Sequence, residues 1–189
     1  MSKQLSPACE AVQTWVAEVV IGLNFCPFAH REVEKQSIRY CESRAHTIEQ
    51  ALTDLAQAMQ ELLADDGVET TLLVLSEGFT EFTDYLDLLD YVAVTLREFQ
   101  LEGVLQVASF HPHYQFADTD ENDVSNYTNR APFPVLHILR EASLEKVLAR
   151  YPQPEQIPER NMRVAAQQGS AYFAALLKRL QHRASSVAR

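Results

Sequence analysis

Residues 70–75 read TTLLVL, a short and nearly unbroken run of apolar and β-branched side chains. Such a run is typical of a β-strand that is covered on both faces. Two further apolar runs, at residues 104–110 and 135–139, have the same character. Together the three runs predict the centre of a sheet that lies between helices.

Helical periodicity dominates the chain on both sides of residues 70–75. Ser6 is expected to cap the first helix, and Thr47 with Gln50 has the spacing of a capping box at the start of the second. Apolar residues three and four positions apart predict helices over residues 6–22, 47–66 and 82–99. In the last of these, the expected buried stripe is Phe82, Leu86, Leu89, Val92, Ala93, Leu96 and Phe99.

Residues 33–41 alternate between polar and apolar side chains, which predicts a half-exposed edge strand. After residue 139, Ser143 is expected to cap a short helix, and one longer amphipathic helix follows Pro158. The order is then helix, strand, helix, strand, helix, strand, long loop, strand, helix, helix. This order predicts an α/β or α+β fold with one mixed sheet of about four or five strands covered by helices.

The same reading predicts one domain over residues 1–189. Residues 111–134 are long, polar and without periodicity, so we expect a functional loop there. We expect the tail at residues 184–189 to fray.

The composition excludes several partners. Acidic residues outnumber basic residues by 26 to 16, and the net charge of −10 repels nucleic acid and anionic membranes. No apolar run is long enough to cross a bilayer, and the first residues lack the apolar core of a signal peptide. The three cysteines, Cys9, Cys26 and Cys41, lack the paired spacing of a disulfide framework. We therefore expect a cytoplasmic protein with reduced thiols.

Three stretches combine polar and aromatic residues in an unusual way: NFCPFA at 24–29, SFHPHY at 109–114 and NYTNRAPFP at 126–134, which runs into LHILRE at 136–141. In these motifs the chain resembles the bacterial domain-of-unknown-function 1415 family, from about Thr14 to the final strand and helix. The resemblance implies no activity, substrate, cofactor or catalytic residue. The motif residues are therefore interpreted from their own chemistry.

An anion pocket is the first interpretation of these motifs. Arg130 and Arg140 could bring two guanidinium groups to a carboxylate or phosphate. The predicted ligand-binding residues are Asn24, Asn126, Tyr127, Asn129, Arg130, His137 and Arg140. His137 lies in an apolar strand, where a buried structural role is the simpler interpretation.

Catalysis by Cys26 with His111 or His113 is the second interpretation, because a nearby imidazole can activate a thiol. The third is a divalent metal site, since two histidines two residues apart on a strand can share a face. A third ligand is not indicated by spacing, so no metal is assigned. Only five glycines are present, and no nucleotide-binding loop is found.

These observations predict an enzyme that acts on a small polar or anionic metabolite, with Cys26, His111 and His113 as catalytic candidates. Two alternatives stay open. One is a non-catalytic metabolite-binding or adaptor module, in which the same residues hold the long loop to the sheet. The other is a divalent-metal-dependent enzyme. In each case the expected partner is a small molecule, and neither the cofactor nor the oligomeric state is specified.

Overall fold

The buried run at residues 70–75 forms strand β2 (Thr70–Leu75), and all six of its residues are buried. It lies in a four-stranded sheet with β1 (Ile38–Ser43), β3 (Leu105–Phe110) and β4 (Val135–Arg140). The computed structural model describes residues 4–187 and orders the strands β1-β2-β4-β3. Strand β1 is parallel to β2, whereas β4 is antiparallel to both β2 and β3. This confirms the predicted fold class, one mixed sheet covered by helices.

Seven α-helices surround the sheet within residues 4–187. A π-helix continues the first of them, and short 3₁₀ helices lie at Val124–Thr128 and Pro154–Gln156. None of the described helices is both long and apolar enough to cross a membrane. The helices are α1 (Pro7–Trp15), α2 (Ala29–Glu34), α3 (Ile48–Ala64), α4 (Phe82–Glu98), α5 (Glu141–Leu148), α6 (Ile157–Gln168) and α7 (Ser170–Val187).

Two hydrophobic clusters lie on opposite faces of the sheet. Helices α1 and α7 pack on one face, over Leu72 and Val74 of β2. Helices α3 and α4 pack on the other, over Leu73 and Leu75. Because successive strand residues point to opposite faces, β2 contributes alternately to the two clusters. The central strand therefore joins both halves of the core.

The predicted caps are present. The Ser6 hydroxyl accepts a hydrogen bond from the Cys9 backbone N–H at 3.3 Å, and Thr47 Oγ1 accepts one from the Gln50 backbone N–H at 3.3 Å. The Gln50 side chain accepts from the His46 backbone, one residue before the position that a capping box predicts. The helix starts are thus fixed by local sequence.

Strand β1 forms an edge of the sheet, as predicted, but it begins later than expected. The predicted strand covered residues 33–41, and its first part is instead the end of α2. Ser37 donates its backbone N–H and its hydroxyl to the Glu32 carbonyl, which closes this helix. Gln36, with φ of 57°, then turns the chain toward the strand.

The predicted stripe on α4 is confirmed in part, since Val92 is buried and Phe82, Leu89 and Leu96 pack partly buried against the core, but its centre is shifted. Leu86 and Phe99 are 44% and 51% exposed. The buried residues of this helix are Tyr85, Leu88, Val92 and Thr95. The reason is Tyr85, whose hydroxyl donates to the Val135 carbonyl at 2.7 Å, so this polar residue can be fully buried.

Two helix boundaries also differ from prediction. Helix α5 begins at Glu141, directly after β4, rather than after a Ser143 cap. Gly169, with φ of 78°, divides the expected single C-terminal helix into α6 and α7. The predicted frayed tail is helical as far as Val187, and Ala184 within it is buried. Residues 188 and 189 of that tail lie outside the described residues.

Replacing Tyr85 by phenylalanine removes the hydrogen bond to Val135 and leaves a buried carbonyl without this donor. We expect Tyr85→Phe to lower the free energy of unfolding by roughly 1–2 kcal/mol, measured by urea denaturation. Tyr91, which lies on the same helix and is 52% exposed, supplies the matched control Tyr91→Phe. Equal stabilities of the two variants would contradict the assigned role of the hydroxyl.

Candidate functional site

A cavity of about 410 Å³ lies on the α1 side of the sheet. Thr70 and Leu72 of β2 and His137 and Leu139 of β4 belong to its lining, because residues two apart on a strand share a face. The end of α1, the π-helix, the turn before α2, α2 itself and α5 supply most of the other lining residues, and Ile38 of β1, Phe110 of β3 and Arg140 of β4 add to the sheet floor. This volume is within the range of small-molecule sites in proteins.

His137 is held at one ring nitrogen. Its Nε2 lies 2.7 Å from Thr70 Oγ1, and this hydroxyl oxygen lies 2.6 Å from the Ile138 carbonyl oxygen. A carbonyl only accepts, so the hydroxyl donates to it and the Nε2–H of His137 donates to the hydroxyl. The lone pair of Nδ1 is then free of any hydrogen bond to the part of the chain that the structure describes. Burial lowers the pKa of His137 to about 4, so the imidazole is neutral at pH 7.

Cys26 reaches the same cavity from the turn that follows the π-helix. Asn24, with φ of 55°, reverses the chain, and the Cys26 backbone N–H donates to the Val20 carbonyl. Burial raises the pKa of the Cys26 thiol, and hydrogen bonds from the backbone of Phe28 and Ala29 oppose this only in part. The thiol is therefore protonated at neutral pH.

Two side chains of helix α6 hold the Cys26 turn in place by hydrogen bonds. The guanidinium group of Arg160 donates to the Asn24 carbonyl and to the Tyr151 hydroxyl, and the Asn161 side chain donates to the Phe25 carbonyl at 2.7 Å. Sequence analysis missed both α6 residues. Nothing in their local pattern indicates a partner 136 positions away.

Arg140 lines the cavity, but its charged end is already bound. Its guanidinium group donates to the carbonyls of Leu62, Asp65 and Val68, at 2.6, 3.2 and 3.3 Å. These carbonyls lie at and just beyond the C-terminal end of α3, where the helix dipole favours a cation. Arg140 therefore mainly stabilises the C-terminal end of α3.

Four cationic residues that sequence analysis missed also line the cavity: Arg31, Lys35, Lys146 and Arg150. All four are exposed. On α2, Arg31 and Lys35 lie 3.7 and 3.5 Å from the Glu32 carboxylate. The side chains of Lys146 on α5 and of Arg150, two residues past its end, form no ion pair or hydrogen bond with residues 4–187. Together with Arg140, these cations outnumber the two carboxylates of the lining, Glu32 and Glu69, so the rim carries an excess of positive charge on a protein that is acidic as a whole.

The long loop binds mainly itself. Asn126 is fully buried, and its side chain accepts from the Phe116 backbone and the Thr119 hydroxyl and donates to the Asp120 carbonyl. Arg130 donates to the carbonyls of Tyr114 and Glu121 and lies 4.7 Å over the Tyr127 ring. Asn129 donates to the Ser109 carbonyl. Most of these contacts join one part of the loop to another, and among them the Asn129 bond to Ser109 reaches a strand of the sheet.

His111 belongs to the same loop anchor. It is fully buried, and its ring lies 5.1 and 5.2 Å from the rings of Tyr85 and Phe82. Its Nε2–H donates to the Phe79 carbonyl and its Nδ1 accepts from the His113 backbone N–H, so both ring nitrogens are occupied. Residues 4–187 contain no cluster of three histidine, cysteine or acidic side chains placed to hold a metal ion.

The structure thus divides the predicted site residues into two groups. Cys26, His137 and Arg140 meet at the cavity. Asn24 lies in the turn that carries Cys26 and offers its carbonyl to Arg160. The others, which do not line the cavity, are His111, His113, Asn126, Tyr127, Asn129 and Arg130. The catalytic and ligand-binding roles assigned from sequence stay predictions for both groups.

A larger groove of about 870 Å³ runs along the open edge of β1, between α1 and α3. None of the predicted site residues lines it. Two of its charged residues serve the fold, since Arg39 pairs with Asp65 at 2.7 Å and Asp54 accepts from the Ser43 hydroxyl. The cavity on the face of the sheet is therefore the better candidate site.

The fold and the cavity define a class: a mixed α+β protein with a ligand-sized cavity between one face of its sheet and two short helices. The family described as "Protein of unknown function (DUF1415)" matches residues 8–175, and the chain belongs to this family. The match confirms the resemblance found in the sequence motifs. No curated protein and no solved structure matches the chain.

The protonation of His111 gives a test of its anchoring role. Burial lowers its pKa to about 4, whereas an unfolded histidine titrates near 6.5. The neutral ring therefore contributes its full stabilisation above about pH 6.5 and loses it as the pH falls toward 4. We expect His111→Gln to be less stable than the parent by roughly 1–3 kcal/mol at pH 7.5, and this gap to narrow at pH 5.

Urea denaturation at both pH values measures this gap. His182→Gln, at an exposed position on α7, is the matched control and should stay close to the parent throughout. A gap between His111→Gln and the parent that is the same at pH 5 and pH 7.5 would show that titration of this ring does not affect folding.

Proposed function

We propose that this protein binds a small organic anion in the cavity between the sheet, α2 and α5. The observation that carries the proposal is the cavity's combination of an apolar sheet floor, a half-buried imidazole with one unpartnered nitrogen, and a cationic rim. Small-molecule sites in proteins have this composition, with few polar groups placed among apolar walls.

A second unpartnered polar atom belongs to the lining. Trp15 is 2% exposed, and its indole Nε1 has no hydrogen-bond partner in the structure. Buried polar atoms are normally paired, because leaving one unpaired costs about 1–3 kcal/mol. Trp15 and His137 both line the cavity. Because Trp15 Nε1 is itself closed off from solvent, a ligand meets the indole ring there, and of the two unpartnered atoms only His137 Nδ1 is open to a ligand.

The π-helix supports the same assignment. Residues Val16–Ile21 take this rare geometry, and Val16 and Val20 line the cavity. Such segments occur often at functional sites, where a helix is widened at some cost in stability. Here the widened turn leads directly into the turn that places Cys26.

Filling the cavity should abolish ligand binding. The probe is 1-anilinonaphthalene-8-sulfonate, an organic anion whose fluorescence rises in apolar surroundings. We expect the folded protein to bind it at one saturable site, and Ser143→Trp to remove this site because Ser143 lines the cavity. Ala142→Trp is the matched control, since Ala142 is exposed, lies on the same helix and is absent from the lining.

Thermal melts of both variants verify that they are folded. Fluorescence titration that finds no saturable site in the parent would refute the proposed function. Equal binding by Ser143→Trp and Ala142→Trp would refute it too, because the dye would then be binding elsewhere.

Enzymatic action on the bound anion is the second candidate function. The observation behind it is the fixed His137 ring, whose unpartnered Nδ1 could accept a hydrogen bond from a ligand, although the pKa of about 4 makes this nitrogen a weak base. A covalent role for Cys26 is less favoured, because the raised pKa keeps its thiol protonated. The geometry therefore supports binding more strongly than it supports thiol catalysis.

Alkylation of Cys26 tests the thiol role. Because only the thiolate reacts, we expect iodoacetamide to modify Cys26 at pH 7.5 at least about tenfold more slowly than an unstructured cysteine peptide, with a rate that still rises above pH 9. Peptide mapping by mass spectrometry follows Cys26 separately from the other two thiols. Rapid alkylation between pH 6 and 7 would instead indicate an activated thiolate and would favour the enzyme.

A further inference from the structure

We infer that the ligand of this cavity is an amphipathic carboxylate, with its apolar body against the sheet and its acid group at the rim between α2 and α5. The inference rests on the proposed function and narrows the proposed ligand to one chemical class. It predicts that polar anions such as citrate do not bind.

The lining favours an apolar body. Half of the 22 lining residues are apolar. The polar atoms that reach the floor are few, and the Thr70 hydroxyl among them is already bonded to both His137 and Ile138. A ligand with many hydroxyl or carboxylate groups would lose its water there without gaining enough partners. The apolar lining residues are Trp15, Val16, Val20, Phe28, Ala29, Ile38, Leu72, Phe110, Leu139, Leu144 and Val147.

The volume limits the size of this body. An atom of a small molecule, taken with its share of space, needs roughly the volume of one water, about 30 Å³. A cavity of about 410 Å³ therefore encloses about 14 non-hydrogen atoms, and a larger ligand such as the anilinonaphthalene dye extends past its open rim. A carboxylate with eight to twelve carbons, or a two-ring aromatic acid, is of this size.

The charge at the rim favours one negative group. Lys146 on α5 and Arg150 in the turn that follows α5 are exposed and without a partner in residues 4–187. Leu144 and Val147 of the same helix line the cavity as well, so α5 carries its apolar and cationic residues on adjoining sides. An acid group beside Lys146 and Arg150 would thus sit next to its own apolar body.

The cations of α2 are less available. Glu32 lies close to both Arg31 and Lys35 and also accepts from the Ser37 hydroxyl at 2.7 Å. One shared carboxylate thus offsets part of their charge. The two cations without a partner, Lys146 and Arg150, match a ligand with one negative charge better than one with three.

The test displaces the bound dye with acids of graded length. We expect affinity to rise about fourfold per added methylene from hexanoate to decanoate. We expect decanoate to bind at least about tenfold more tightly than 1-decanol at low salt. A second displacement series uses 2-naphthoate. If 2-naphthoate binds more tightly than decanoate, the ligand is an aromatic acid within the same class of amphipathic carboxylates. Citrate should displace no dye.

Charge reversal locates the acid group. We expect Lys146→Glu combined with Arg150→Glu to lower the affinity for decanoate at least about tenfold. The affinity for 1-decanol should change by less than about twofold. Retained decanol binding also shows that the variant is folded. Lys178→Glu combined with Arg183→Glu, at exposed positions on α7, makes the same change in net charge and should leave decanoate binding unchanged.

Equal affinities for decanoate and 1-decanol would overturn the inference, as would displacement by citrate. In either case dye binding that Ser143→Trp removes would still uphold the proposed function. Absence of the dye site would refute the proposed function itself. The two failures are therefore distinguishable.

Discussion

Strand β2 has to be covered on both faces, and the rest of the structure follows from that constraint. Its leucines alternate between the cluster under α1 and α7 and the cluster under α3 and α4. Its backbone is paired on one edge by β1 and on the other by β4, so its backbone N–H and C=O groups form hydrogen bonds without water. Only Thr70 and Thr71, at its start, bring hydroxyls into this buried strand, and Thr70 orients His137.

The sheet also separates the histidines that the sequence places in one functional group. His137 points to the α1 side and lines the cavity, whereas His111 packs against Phe82 and Tyr85 of α4. Burial lowers the pKa of both rings. Their hydrogen bonds differ, because both nitrogens of His111 are occupied and Nδ1 of His137 is not. The same residue type thus anchors a loop on one face and is open to a ligand on the other.

Much of the fold could be predicted, and less of the site. The polar residues near Cys26 and in the long loop were recognised as unusual, but the loop amides mainly bind the loop backbone. A long segment must satisfy its own N–H and C=O groups, and Asn126 alone serves three of its residues. The cations of α2 and α5 were missed because neither helix buries a residue. In helices this short, basic residues beside a few partly buried apolar residues do not differ from those of an ordinary exposed surface.

By itself, the sequence determined the buried strands, the helix caps at Ser6 and Thr47, and the mixed sheet covered by helices, because these depend on local periodicity and local hydrogen bonds. It also pointed to Cys26, His137 and Arg140. Only the tertiary structure decided that these three residues share a cavity and that the Arg140 guanidinium donates its hydrogen bonds to the end of α3. Which hydrogen-bond donors remain free depends on partners far away in the chain, and local sequence carries no record of them.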